Sequence, residues 1–269
     1  MKLSIGQAWD ETKAVFRADG GAISAVALAL TVLPGTILET VAPSSQRAAE
    51  TAWYVSLLGL AAALLSLAGQ LAISRIALGP STTVGAAIGH GFRRVPALFG
   101  ALFLLFLPIA LVGAALIYPQ LGGIQNDPSK MPSSALLTTL LVIVVFFFLL
   151  VRMLFITPLA ADRDLNSIQL LKEAWGLSKG RFWKLFVMVL LLALVALIIL
   201  GALGGALSAV VILALGAIEP GNTSALLVAL IQQLMAAFVS VLFVVVVCRL
   251  YRQAESGGTW ASVPHAGGE

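Results

Sequence analysis

Apolar and polar residues follow two rhythms along this chain. Six stretches, at 21–41, 52–78, 97–118, 134–159, 185–207 and 224–250, are almost wholly apolar. Each reaches the about 20 residues that a helix needs to cross a hydrocarbon core with all its backbone groups bonded internally. Ahead of every second stretch lies a shorter segment with one apolar stripe at helical spacing, closed by basic residues. The stripes are Ile5, Ala8, Trp9, Thr12 and Phe16; then Val84, Ala87, Ile88, Gly91 and Val95; then Leu171, Ala174, Trp175, Ser178 and Phe182. The first two are offset by 79 residues throughout and the last two by 87. The pattern predicts an all-α polytopic membrane protein. Its six transmembrane helices form three hairpins, each preceded by an amphipathic interfacial helix on the cytoplasmic side. One transmembrane domain then covers 1–252, in segments of about 1–80, 81–165 and 166–252, with a disordered tail over 253–269. Constant offsets favour internal repetition. The fifth stretch stays apolar as far as Ile218, too short for two spans and a turn, so it reads as one long or tilted helix.

Orientation follows from the basic residues, which are retained on the cytoplasmic side of short loops. With the N-terminus inside, every one of the 16 Lys and Arg except Arg47 and Lys130 falls at a cytoplasmic end. An even number of spans then returns the C-terminus to the cytoplasm. Trp53, Tyr54 and Tyr118 fall at the outer interface and Trp9, Trp175, Trp183 and Tyr251 at the inner one, where amphipathic rings are favoured. The first 20 residues carry both signs of charge and lead into a run of span length, so no cleavable signal peptide is expected.

A stripe flanked by cations is suited to lie in the headgroup plane and meet anionic lipid. The candidate headgroup contacts are Arg75, Arg93, Arg94, Arg152, Lys179, Arg181, Lys184 and Arg249, with Trp9, Trp175 and Trp183 as interfacial anchors. Arg75, Arg152 and Arg249 stand just inside the cytoplasmic ends of the second, fourth and sixth spans, where long side chains snorkel. Gln70, Gln232 and Gln233 are amides within spans, suited to interhelical hydrogen bonds. Pro34-Gly35 and Pro108 can kink a span. Gly201 and Gly205 have the spacing of a close helix contact, and Glu39 is placed to meet Arg47 or water.

Composition sharpens this picture mostly by exclusion. The chain is 60% apolar and 10% charged, with a mean hydropathy of +1.03, against about 25% charged residues in a soluble domain. Cys248 is the single cysteine, so neither an internal disulfide nor a cysteine-cluster metal site is expected. His90 and His265 have no ligand set beside them, and Asp162, Arg163 and Asp164 read as a self-paired, solvated loop. No metal, cofactor or nucleic-acid partner is expected, and no catalytic machinery.

Ser4-Ile5-Gly6-Gln7-Ala8-Trp9, and still more Glu173-Ala174-Trp175-Gly176-Leu177-Ser178-Lys179-Gly180-Arg181-Phe182-Trp183, resemble the membrane domain attached to some bacterial glycerophosphoryl diester phosphodiesterases and the related YciC-like inner-membrane proteins. The resemblance implies a bacterial inner-membrane location. In the fused members the chemistry belongs to a separate soluble barrel that this chain lacks. The resulting expectation is a non-catalytic membrane protein acting through lipid or protein contacts. The alternative is a transporter or lipid-handling protein with a cavity in the cytoplasmic half, bordered by Arg75, Arg152 and Arg249.

Overall fold

The computed structural model describes residues 4–41, 53–79, 83–121, 133–216 and 222–259. Arg47, Lys130, His265 and the side chain of Tyr118 lie outside what is described. Helices account for nearly everything within it. In chain order they are α1 (Ile5–Ala27), α2 (Leu33–Val41), α3 (Trp53–Leu78), α4 (Val84–Leu121), α5 (Ser133–Arg152), α6 (Ile156–Asp162), α7 (Ser167–Ser178), α8 (Phe182–Leu197), α9 (Gly205–Leu215) and α10 (Thr223–Thr259). A π-helical turn, Leu28–Val32, carries α1 into α2, and a longer one, Ile198–Gly204, carries α8 into α9. Six helical rods result that are long and apolar enough to cross a membrane. The fifth, Phe182–Leu215, is a single rod, as its length requires.

The stripes are where structure and expectation part. In the first two units the striped segment and the span form one continuous helix; in the third, Leu171 to Ser178 lie in a separate helix, α7, and Phe182 opens α8. The small residues of the stripes face protein, while Ile5, Trp9 and Trp175 stay exposed. Ala8, Ala87 and Ala174, at equivalent positions, are each fully buried. So are Thr12, Gly91 and Ser178, one turn further on. Each unit therefore carries a small-xxx-small pair, which lets a helix backbone approach its neighbour closely. The contact is tightest at Gly91, where an added Cβ would stand 2.5 Å from the Ala68 carbonyl oxygen of α3.

Capping explains the helix starts. Ser4 Oγ accepts from the Gln7 amide and Thr83 Oγ1 from that of Ala86. These caps are 79 residues apart, matching the stripes. In the third unit Asn166 and Gln169 form a reciprocal capping box. That cap lies one turn earlier than the offset of 87 would place it, so α7 begins a turn sooner. It ends at Ser178, and Gly180, whose φ of +78° suits glycine, turns the chain into α8.

The fourth span is interrupted. α5 stops at Arg152, and after a turn over 153–155 the chain resumes as α6. The Ile156 amide bonds to the Met153 carbonyl rather than four residues back. Pro158 offers no N–H to the carbonyl of Leu154. At the chain's end α10 continues to Thr259, so residues 253–259 are helical where a tail was expected, and 260–269 lie outside the described residues. One core of buried residues runs through all three units, with Tyr251 and Phe155 its largest fully buried side chains.

Candidate functional site

One end of the bundle is stitched by polar side chains. It gathers the starts of α1, α4 and α8, the ends of α6 and α10, and α7. Its hub is the short connection Asp162-Arg163-Asp164. From sequence these three residues are expected to pair among themselves; instead they reach three other helices, α10, α7 and α4. Tyr251 of α10 donates its hydroxyl to Asp162 Oδ2 at 3.0 Å. Arg163 spreads its guanidinium between Glu173 of α7, at 3.0 Å, and Glu255 of α10, at 2.6 Å. The hydrogen bond to Glu255 raises the Arg163 pKa further above its already high value, against the smaller opposing effect of burial. Asp164 meets Arg94 Nη1 at 3.4 Å.

Arg94 and His90, one turn apart on α4, close the C-terminus of α6. Arg94 Nε donates to the Ala160 carbonyl at 3.0 Å, and its Nη2 donates to those of Arg163 and Leu165 at 2.6 and 2.8 Å. His90 Nε2 lies 3.0 Å from the Ala161 carbonyl oxygen, a donor contact in the tautomer protonated there. Terminal carbonyls of a helix need such partners, and a cation suits the negative end of its dipole.

The segment 173–183 forms a second cluster, around Arg152. The Arg152 guanidinium lies 4.8 Å from the centre of the Trp175 ring and 5.9 Å from that of Phe148. Its Nη1 donates to Ser178 Oγ, which donates in turn to the Trp175 carbonyl. Phe182 packs against Phe148, Trp183 and Phe186, and Arg181 donates to the carbonyls of Leu177 and Ala254.

The eight candidate headgroup residues thus divide. Arg94, Arg152 and Arg181 are engaged with protein groups, whereas Arg93, Lys179 and Lys184 are exposed. Arg75 and Arg249 are half-buried. Arg75 stands near enough to act electrostatically on His90, as does Arg93. Arg249 Nε is buried without a partner among the described residues. Arg152 is engaged by Trp175 and Ser178 of α7 and by Phe148 of α5, and no hydrogen bond or ion pair among the described residues joins Arg75, Arg152 and Arg249. Trp9, Trp175 and Trp183 are all exposed, Trp183 to 73%.

Within the spans, Gln233 Nε2 donates to Glu39 Oε1 at 2.7 Å, and Gln232 Nε2 donates to Ser208 Oγ at 3.1 Å. Glycines make room for both amides: Gly35 for Gln233 and Gly204 for Gln232. Gly201 and Gly205, the pair with the contact spacing, have open space at their Cβ positions. Cys248 is buried, and the described residues hold no group of three His, Cys, Asp or Glu that could bind a metal ion. Sequence reasoning missed Tyr251, Glu255 and Glu173 as partners of the 162–164 hub. Their signals, an aromatic ring and a carboxylate near the end of α10 and a carboxylate in α7, do not reveal a partner.

Fold and site together define an all-helical, multi-pass membrane protein in which, among the described residues, charged side chains are concentrated at one end. Residues 3–254 match the family described as Domain of unknown function (DUF7847), and the chain belongs to that family. No curated protein and no solved structure matches it.

Proposed function

We propose that this protein sits in a bacterial inner membrane as three hairpins with both termini in the cytoplasm, and that it acts without catalysis by holding anionic lipid headgroups. The observation that carries this reading is the division among the basic residues. At the stitched end, Arg94, Arg163 and Arg181 are committed to protein partners, while Arg93, Lys179 and Lys184 remain exposed. Exposed Trp175 and Trp183 lie beside Lys179 and Lys184 in the sequence, a pairing of ring and cation that suits the interface. The helix α7 is the element best placed to lie along the inner leaflet. The likeness of 173–183 to the phosphodiesterase-associated and YciC-like membrane domains supports the location. The carboxylates nearest the hub, Asp162 and Asp164, are engaged by Tyr251 and Arg94, which supports a structural role for them. The transporter alternative, with Arg75, Arg152 and Arg249 bordering one cavity, has less support because Arg152 is engaged by Trp175 and Ser178 of α7.

The test is the lipid retained by protein purified into nanodiscs of mixed phosphatidylglycerol and phosphatidylcholine. Each exposed cation contributes about 1 kcal/mol to anionic attraction. The combined change Arg93→Gln, Lys179→Gln and Lys184→Gln is therefore expected to cut the preference for phosphatidylglycerol more than tenfold. Arg94→Gln is expected to lower thermal stability and leave that preference standing. An unchanged preference in the triple variant would overturn the reading.

A further inference from the structure

We propose that the chain binds a small uncharged hydrogen-bonding molecule, of the polyol or amide class, in a cavity between α3, α6 and α10. The cavity measures about 260 Å³ and lies against the interruption of the fourth span. Gln70 and Ser74 of α3, Thr157 of α6 and Ser240 of α10 contribute its polar wall. Every other amide within the spans has a protein partner: Gln232 bonds to Ser208, and Gln233 to Glu39. Gln70, Thr157 and Ser240 are different, since none of their side chains bonds to a described residue. Ser74 donates to the Gln70 carbonyl at 2.7 Å and keeps lone pairs free to accept.

The break in the fourth span borders the same space. Leu154 and Pro158 both line the space, and the carbonyl of Leu154 lacks the N–H that a residue other than proline at position 158 would supply. Gln70, Thr157 and Ser240 are half-buried and unpaired among the described residues, so together with Ser74 they offer both donors and acceptors to an occupant of this one cavity. No charged side chain lines the cavity, which selects against an ion. The remaining wall, formed mainly by valines and Phe243 of α10, suits a short carbon skeleton. The volume lies below the about 300–1,000 Å³ of drug-sized sites, which limits the ligand to a few heavy atoms. Interrupted spans that line a cavity are also where membrane proteins place unpaired backbone groups toward small solutes.

Saturation-transfer NMR on the full chain in nanodiscs tests this with glycerol, acetamide and acetate. Acetamide and acetate are nearly isosteric and differ in charge. Glycerol and acetamide are expected to bind, with acetate at least about tenfold weaker. Gln70→Leu and the isosteric Thr157→Val are each expected to weaken acetamide about fivefold, the effect of one net hydrogen bond. Ser240→Leu, which fills the space, is expected to abolish the signal. Should that variant fail to fold, Thr157→Val carries the test. Equal binding of acetamide and acetate, wild-type affinity in both Gln70→Leu and Thr157→Val, or an experimental structure in glycerol with water alone in the cavity would overturn the proposal.

Discussion

Gly91 and Gly89 lie two residues apart on α4 and should respond to alanine with opposite signs. At Gly91 the added methyl meets backbone, the Ala68 carbonyl of α3 at 2.5 Å and the Ala72 nitrogen at 3.3 Å, neither of which can rotate away. Gly91→Ala is expected to destabilise the purified protein by about 1–3 kcal/mol, the usual effect of overpacking. At Gly89 nothing lies within 4 Å, and alanine removes the entropic cost of an exposed helical glycine. Gly89→Ala is expected to stabilise by about 0.5–1 kcal/mol. Thermal unfolding in detergent separates the two, and a shift of the same sign in both would contradict the packing of α4 on α3. Gly91 stands in the stripe by sequence, yet its part in close packing is visible only once α3 is beside it. The same holds for Gly35 and Gly204, each set against a glutamine from α10.

Among the elements, what hydropathy could reveal was existence and length. All six spans were legible, because about 20 apolar residues in a row have few other destinies. The stripes were legible as helix faces, but not what they face. An apolar stripe burying itself in lipid and one burying itself against α3 or α10 have the same periodicity. The small residues Ala8, Thr12, Ala87, Gly91, Ala174 and Ser178 favour the second outcome, since lipid gains nothing from them and a neighbouring backbone does. The hub at 162–164 was illegible for another reason: its partners come from residues up to 92 positions away. The helix α7 offers an element-scale prediction. Its link to α8 relies on Gly180 at φ +78°, a conformation that costs another residue about 1–2 kcal/mol. Gly180→Ala is therefore expected to loosen α7. Amides in 167–178 should exchange faster with deuterium, while those in α3 keep their protection.

For the whole molecule, the polar stitching and the basic bias make one statement about sidedness. With Cys248 buried and replaced by alanine, a single cysteine can be placed at either end of the bundle. Gly89→Cys, near the stitched end, is expected to resist an impermeant maleimide in intact cells and to react in inverted vesicles. Trp53→Cys, at the start of α3, is expected to behave in the opposite way. Reversal of both results would invert the proposed topology, while the packing of the bundle would stand. The orientation rests on lysine and arginine counts rather than on the fold, which is the same either way up.

The last turns of α10 tie the start of α1, the turn before α8 and the 162–163 hub together. Gln253 accepts from the Ser4 amide, Ala254 from Arg181, Glu255 from Arg163, and Tyr251 donates to Asp162. During synthesis these are the groups that leave the ribosome after all the others they bind. Until then Asp162, Arg163 and Arg181 lack their α10 partners, and Ser4 waits for a residue 249 positions downstream. The assembly is thus a clasp that fastens last. A nascent chain halted before residue 251 should insert its earlier spans yet remain open to membrane proteases, and release of the final helix should end that vulnerability.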